Sequence, residues 1–272
     1  MSGRRIAIYG KGGIGKTTIA VNLAVLLARR GLRTLLVGCD PKKDTARLLT
    51  SRLLPSLMER YDALASGAAA PEEVLLPVRE NLLVCESGGP RPGVGCAGRG
   101  ILIALEWLQK SGAYERADVV LYDVLGDVVC GGFATPVTRG FTDTICVVTS
   151  GEQASLLAAN NILRGMEAVG GKVGGLIFNA RGFDGEERLA HAFAQMANTP
   201  LLGEIPCSQR IKREELRRHV VCEAEGAEAE KRALTALAER LLALEHAASP
   251  RPLDPEVLYA AIEQMERCDP DD

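Results

Sequence analysis

The stretch "GKGGIGKT", residues 10–17, decides how the rest of the chain is read. It satisfies Gly-x-x-x-x-Gly-Lys-Ser/Thr in full, after an apolar run at 5–9 and before the helical period "KTTIAVNLAVLLARRG". That strand–loop–helix context separates a phosphate-binding loop from an ordinary glycine-rich turn. Gly10, Gly12, Gly13 and Gly15 let the backbone N–H groups of the loop, those of Lys11 and Ile14 included, converge on phosphates. The helix start adds its positive dipole end. Lys16 is expected to pair with the phosphates and the Thr17 hydroxyl to ligate Mg²⁺, with Thr18 beside it in the ATP site.

Further apolar runs follow at 34–38, 82–86, 119–123, 144–149, 173–179 and 201–205, each bounded by glycine or polar turns. Helical periods such as "RGILIALEWLQKSG" and "QASLLAANNILRGMEAV" lie between them, and Gly31 stands at the end of the first one as a stop signal. Near-continuous apolar strands alternating with helices imply a mostly parallel sheet with helices on both faces. The expected fold is therefore α/β, a single P-loop NTPase domain. No Pro/Ser-rich linker or internal repeat divides the chain. The domain is expected over 1–248, including a helical C-terminal extension at 224–246, and the tail 249–272 carries a short amphipathic helix, "DPEVLYAAIEQMERC".

Of 272 residues, 47% are hydrophobic and 25% charged, and the formal charge is -3. That slightly acidic balance leaves no electrostatic footprint for nucleic acid. The apolar runs are too short to span a bilayer, and the opening "MSGRRIAIYGKGG" lacks the sustained apolar segment of a secretory signal. A cytoplasmic protein without nucleic-acid or membrane partners is expected. Cytoplasmic conditions disfavour a disulfide framework for the eight cysteines, and no pair has C-x-x-C spacing. Cys39, Cys85 and Cys146 sit in or end apolar runs and read as core residues. Cys207, Cys222 and Cys268 sit in mixed surroundings, whereas Cys96 and Cys130 are flanked by glycine.

Lys11, one residue after the first glycine, is not needed by the nucleotide of its own loop. "GKGG-x-GKT" resembles the deviant Walker A loop of a class of dimeric ATPases, and the resemblance implies that Lys11 crosses to the partner's nucleotide, as an arginine finger does. Two acidic segments follow apolar strands. "GCDPKKD" offers Asp40, Lys42 and Asp44, and "VVLYDVLGD" offers Asp123 and Asp127. Asp123 has the Walker B position, suited to Mg²⁺ or its water, while Asp40, Asp44 and Asp127 are candidates to orient the attacking water. Any one of these acids alone would read as a helix cap or solvated turn. Together with an intact phosphate loop they favour the site.

Cys130 follows Asp123 by only seven residues, which span at most ~25 Å. One short segment thus links the metal corner to a thiol, a geometry suited to a nucleotide switch. An iron–sulfur cluster takes four thiolates. Two glycine-flanked cysteines per chain become four in a symmetric dimer. Free thiols, a redox pair and an intersubunit zinc remain alternatives at this point.

"YGKGGIGKTT", "GCDPKKD", "ESGGPRPGVGCAGRG", "YDVLGDVVCGGFA" and "SGEQASLLAANNI", in this order, resemble the nitrogenase iron protein family over about 6–181 and more weakly beyond. The resemblance implies a homodimer sharing one [4Fe–4S] cluster between Cys96 and Cys130 of each chain. It also implies ATP with Mg²⁺ at each loop, and single-electron delivery to a separate nitrogenase-like catalytic component. The electron donor would be of the ferredoxin or flavodoxin kind. Lys11, Lys16, Thr17, Asp40, Lys42, Asp44, Asp123, Asp127 and Asn179 match functional positions of the family. Pro206 matches a position near the adenine, and Arg99 matches the arginine of the docking face, which is ADP-ribosylated in some nitrogenase systems. The chain departs from the family at "PCSQ", 206–209, where many nitrogenase iron proteins carry Pro-Arg-Asp, and over 211–230. These departures favour a nitrogenase-like system, reducing for example tetrapyrroles or methylthio-alkanes, over dinitrogen reduction, with a true nitrogenase iron protein as the alternative. Partitioning or positioning ATPases share the same loop but leave Cys96 and Cys130 without a role, and a metal-chaperone ATPase, which also shares it, would bind and release metal rather than cycle electrons.

Overall fold

A computed structural model describes residues 3–89, 97–124, 135–245 and 247–267, without the side chains of 97, 135 and 265–267. The elements run β1 (Arg4–Gly10), α1 (Lys16–Arg29), β2 (Thr34–Cys39), α2 (Leu57–Ala65), β3 (Leu76–Arg79), β4 (Leu82–Glu86), α3 (Ala97–Lys110) and β5 (Val119–Val124). They continue through α4 (Thr135–Thr138), β6 (Thr144–Thr149), α5 (Gln153–Ala168), β7 (Val173–Asn179), α6 (Glu186–Met196), β8 (Leu201–Ile205), α7 (Gln209–Leu216), α8 (Glu228–Ala243) and α9 (Pro255–Arg267).

The eight described strands form one sheet in the order β3-β4-β2-β5-β1-β6-β7-β8. All seven strands expected from the sequence are present and parallel; β3, the eighth, is antiparallel to β4. The four-residue "LPVR" of β3 is too short to stand out in sequence, and its Pro77 cannot donate to a ladder, which suits the sheet edge it occupies. Every residue of β2, β5 and β6 is buried, as expected of strands covered on both faces.

The period of two along β1 divides the core. Ile6 and Ile8 join Leu23 and Leu27 of α1 on one face, and Ala7 and Tyr9 join Leu105, Leu156 and Phe193 on the other. Full burial of each large aliphatic side chain contributes ~1.5–3 kcal/mol, so both layers are needed to hold the central strands. Helix α8 is an integral part of the first layer rather than a peripheral extension. Its Leu234, Leu237, Ala238 and Leu241 are buried with α1, and Arg4 caps its end by donating to the carbonyls of Leu241 and Leu244 at 2.6 and 2.8 Å.

Helix α9 lies on the opposite layer against α5 and α6, burying Leu258 and Ile262. The Asn160 amide of α5 pins the approach to α9, donating to the Leu253 carbonyl at 2.9 Å and accepting its N–H at 2.8 Å. No described helix is long and apolar enough to cross a membrane.

The chain leaves β1 for β2, and β5 later returns to lie between them. The segments following β1, β2, β4 and β5 therefore open at one end of the sheet, beside its topological switch point. If α9 is anchored as described, Leu258→Ala is expected to lower the unfolding free energy in urea by about 2–4 kcal/mol. Tyr259→Ala, on the exposed side of the same helix, is expected to change it by less than about 0.5 kcal/mol.

Candidate nucleotide site

The loop between β1 and α1 is closed by its own backbone and by β7. Ile14 N–H donates to the Lys11 carbonyl at 3.2 Å, and the Asn179 amide at the end of β7 donates to the Ile14 carbonyl at 2.7 Å. Gly15, the residue before α1, has φ +99, and a Cβ there would stand 2.5 Å from Asn179 Nδ2. Any side chain at 15 would therefore break the latch that shapes the loop. Lys16 is buried, and its ammonium donates to the carbonyls of Gly10 and Lys11 at 2.9 and 3.0 Å. Arg181 adds a second clamp from the β7–α6 connection, donating to the Gly13 carbonyl at 2.9 Å. The buried Glu186 carboxylate holds that connection by accepting the N–H groups of Arg181 and Gly182 at 2.8 and 2.6 Å.

Asp123, the penultimate residue of β5, lies beneath the loop. Its Oδ2 accepts the Thr17 hydroxyl at 2.7 Å and the Thr45 hydroxyl at 2.8 Å. Burial pushes this carboxyl up to about 6, while the two hydroxyls and Lys16 pull the other way. Behind it Glu86, at the end of β4, is also buried. Its Oε1 accepts the Ala46 N–H at 2.7 Å, and its Oε2 has no hydrogen-bond partner among the described atoms. Burial pushes Glu86 up to about 8, and the neighbouring acids Asp123, Asp44 and Asp40 reinforce that shift.

A cleft of about 370 Å³ opens over these groups, with Lys16, Thr17, Asp40, Lys42, Asp44 and Asp123 at one end. Pro206, Cys207 and Ile211 from the β8–α7 region line it as well. Helix α7 is fastened over α1 by the Thr18 hydroxyl, which donates to Glu215. The Cys207 thiol donates to the Arg181 carbonyl at 3.1 Å, joining the segment after β8 to the loop clamp. A helix N-terminus, a loop lysine and a hydroxyl–carboxylate pair of hard oxygen donors fit the phosphates and Mg²⁺ of a nucleotide.

Of the residues expected from sequence, Gly12, Gly13, Gly15, Lys16, Thr17, Thr18, Asp40, Lys42, Asp44, Asp123, Asn179 and Pro206 converge on this one cleft. Gly10 and Ile14 act through their carbonyls as loop supports. Asp40 Oδ1 accepts the Lys42 N–H at 2.8 Å, so this acid also builds the turn that presents it. Lys11 is half-buried and does not line the cleft of its own chain. Arg99 stands exposed in the first turn of α3. Cys96, Cys130 and Asp127 lie outside the described residues.

Arg181, Glu186, Thr45 and Glu86 were not singled out in the sequence. Glu86 ends an apolar strand, much as Asp123 stands next to the end of another, and that shared pattern is the signal that could have found it.

A mostly parallel sheet with this loop between β1 and α1, and an acid near the end of β5, defines a P-loop NTPase. A family model described as "4Fe-4S iron sulfur cluster binding proteins, NifH/frxC family" matches residues 4–268, and the chain belongs to that family. It is 41% identical over 251 residues to nitrogenase iron protein 2 of Methanobacterium ivanovii, covering 92% of this chain and 94% of that one. It is 43% identical over 255 residues to nitrogenase iron protein 2 of Methanothermobacter thermautotrophicus, covering 93% and 95%.

Among solved structures it is similar to the MinD cell division protein of Aquifex aeolicus, with TM-score 0.69 and 20% identity over 88% of this chain and 97% of that one. The septum site-determining protein MinD of Pyrococcus horikoshii, complexed with Mg-ADP, gives TM-score 0.69 and 22% identity, covering 88% and 95%. At such identities these two likenesses speak for the fold alone.

An unfolded chain releases the Asp123 proton near 3.8, whereas the folded chain keeps it up to about 6. The fold thus binds more protons between those values, and its stability falls as pH rises through them. Asp123→Asn is expected to make the nucleotide-free protein more stable than the wild type at pH 7.5 by ~1–3 kcal/mol, and the gain should vanish near pH 4. The same substitution should cost Mg²⁺-dependent hydrolysis on the order of 10²-fold. Denaturation curves at several pH values and a phosphate-release assay check the two halves.

Proposed function

We propose that this chain is the ATP-hydrolysing, electron-donating component of a two-component reductase, working as a homodimer with one shared [4Fe–4S] cluster. The observation that carries this reading is the Asp123 corner. A buried carboxylate bonded to Thr17 of the phosphate loop stands seven residues before Cys130 in the chain. Lys16 and the opening N–H groups of α1 bind the ATP phosphates. Thr17 and Asp123 would hold Mg²⁺, which would supply charge screening on the phosphates. Asp40, Asp44 and Asp127 orient a water whose oxygen bonds to the γ-phosphorus while the bridging P–O bond to ADP breaks. The water proton passes to one of these carboxylates. Lys11 of the second copy stabilises the charge that develops, and Lys42 lines the cleft with Asp40 and Asp44. The cleft, lined by Lys16, Thr17 and Asp123, supports the nucleotide assignment.

Cys96 and Cys130 of both copies hold the cluster, which supplies one-electron reduction. Among the described cysteines none offers a competing pair. Cys39, Cys85, Cys146 and Cys222 are buried, and burial pushes each thiol up, away from the thiolate that iron needs. Cys207 belongs to the nucleotide cleft. Arg99 marks the face that docks on the catalytic component, and a ferredoxin or flavodoxin supplies electrons.

The departure at 206–209 supports a nitrogenase-like catalytic component over a dinitrogen-reducing one. The names of the two archaeal relatives favour the second reading. Assay of the reconstituted pair against N₂, tetrapyrroles and methylthio compounds decides between them.

Anaerobically purified protein is expected to be brown, with about four irons per dimer, and to lose both colour and iron in Cys96→Ser and in Cys130→Ser. Colourless protein after cluster reconstitution would point instead to a positioning ATPase. Lys11→Gln is expected to reduce hydrolysis by roughly 10³-fold, and a mixture with Asp123→Asn chains should recover part of the rate through hybrid dimers. No recovery in the mixture would place Lys11 at its own nucleotide.

A further inference from the structure

Three neighbouring strands, β4, β2 and β5, end together beside the nucleotide cleft. Gly38 of β2 is the register partner of both Asp123 on β5 and Glu86 on β4. The two carboxylates therefore flank the one position between them that has no side chain. A Cβ at 38 would stand 2.2 Å from Glu86 Oε2 and 2.6 Å from Thr45 Oγ1, so the glycine is what admits both groups.

Across this gap lie Thr45 and Ala46, at the start of a short turn over Thr45–Leu48. The Thr45 hydroxyl donates to Asp123 at 2.8 Å, and the next N–H, that of Ala46, donates to Glu86 at 2.7 Å. Two consecutive residues are thus gripped by carboxylates from two different strands. Thr45, Glu86 and Asp123 are all nearly inaccessible to solvent. Water is therefore kept from these bonds, and each lost bond carries the full cost of a buried polar group.

The grip has little slack. Asp123 Oδ2 accepts Thr17 and Thr45 together, so any shift of Thr17 or Asp123 toward a metal changes the balance at Thr45. Thr45 cannot drift alone, because Glu86 holds its neighbour. Glu86 is followed by Ser87, whose N–H and hydroxyl both donate to the Gly38 carbonyl at 2.8 and 2.7 Å. The Ser87 carbonyl in turn accepts the Met58 N–H of α2 at 3.1 Å. Two chain segments are tied to one cluster in this way: 40–49, with Asp40, Lys42 and Asp44, and 86–89, which leads in sequence toward Cys96.

We propose that Thr45 and Glu86 are positioning residues, a buried bracket through which occupancy of the nucleotide site is felt by the segments 40–49 and 86–89. They touch neither nucleotide nor metal; they act through Asp123 and Ala46. The inference rests on the reading of the cleft as a MgATP site.

Amide hydrogen exchange on the full-length dimer, with and without MgATP, tests it. In the wild type MgATP is expected to change exchange in peptides covering 40–49 and 84–89 by at least about threefold. Thr45→Val, which removes only the hydroxyl, and Glu86→Ala, which frees the Ala46 N–H, should abolish that change while MgATP still binds by calorimetry. Thr45→Ser and Glu86→Gln, which keep the donor and the acceptor, should restore it. Should Glu86→Ala fail to fold, Thr45→Val and its rescue decide the matter alone. A wild-type response in Thr45→Val overturns the proposal, and so does loss of MgATP binding in that variant. Wild-type protein that binds MgATP without any change at 40–49 overturns the inference but not the nucleotide site. Wild-type protein that fails to bind MgATP overturns the functional reading and the inference together.

Discussion

The site depends on keeping one carboxylate, Asp123, out of water without leaving it unbonded. A buried carboxylate costs several kcal/mol unless hydrogen bonds or opposite charge offset the loss of hydration. Here two hydroxyls reach the same oxygen, and Lys16 lies near enough to favour the charged form. The offset is incomplete, since burial still dominates and the group stays well above its usual range. Such residual cost is common where a group is held for chemistry rather than for folding. It leaves Asp123 poised to gain from a cation, which would relieve the burial penalty of its charge.

The remainder of the molecule keeps that corner rigid. The alternation of Ile6 and Ile8 with Ala7 and Tyr9 places β1 between two apolar layers, and α1 is thereby fixed beside β5. Helix α8 packs on α1 and β8, so Leu234, which lines the cleft, stands more than two hundred positions after the loop. Asn179 and Arg181 close the loop from β7. Each contact joins distant parts of the sequence, and the loop has its shape only when all are made.

Similarity of fold to the MinD proteins extends over most of the chain at about one-fifth identity. Similarity to the nitrogenase iron proteins is about twice as high. A shared fold does not carry a shared function, because function lives in particular side chains placed on it. Lys11 and Lys16 belong to a loop common to deviant Walker A ATPases. The glycine-flanked Cys96 and Cys130 are what that common scaffold does not require.

The sequence alone carries the phosphate loop, the parallel sheet and the acids near strand ends. Each is a local pattern: glycines at fixed offsets, apolar runs with no polar break, a carboxylate after a strand. It also placed Cys39, Cys85 and Cys146 in the core, because their neighbours are apolar. Strand β3 escaped notice because four residues with a proline carry no period, and the packing partners of α8 were illegible because they lie far away in the chain. Glu86 and Thr45 were illegible for a related reason. Neither belongs to a spacing motif, and their meaning comes from strand order, which sets β4, β2 and β5 side by side so that Gly38 falls between two carboxylates. Only the tertiary structure decides such neighbours, since hydrogen bonds between strands are blind to separation along the chain.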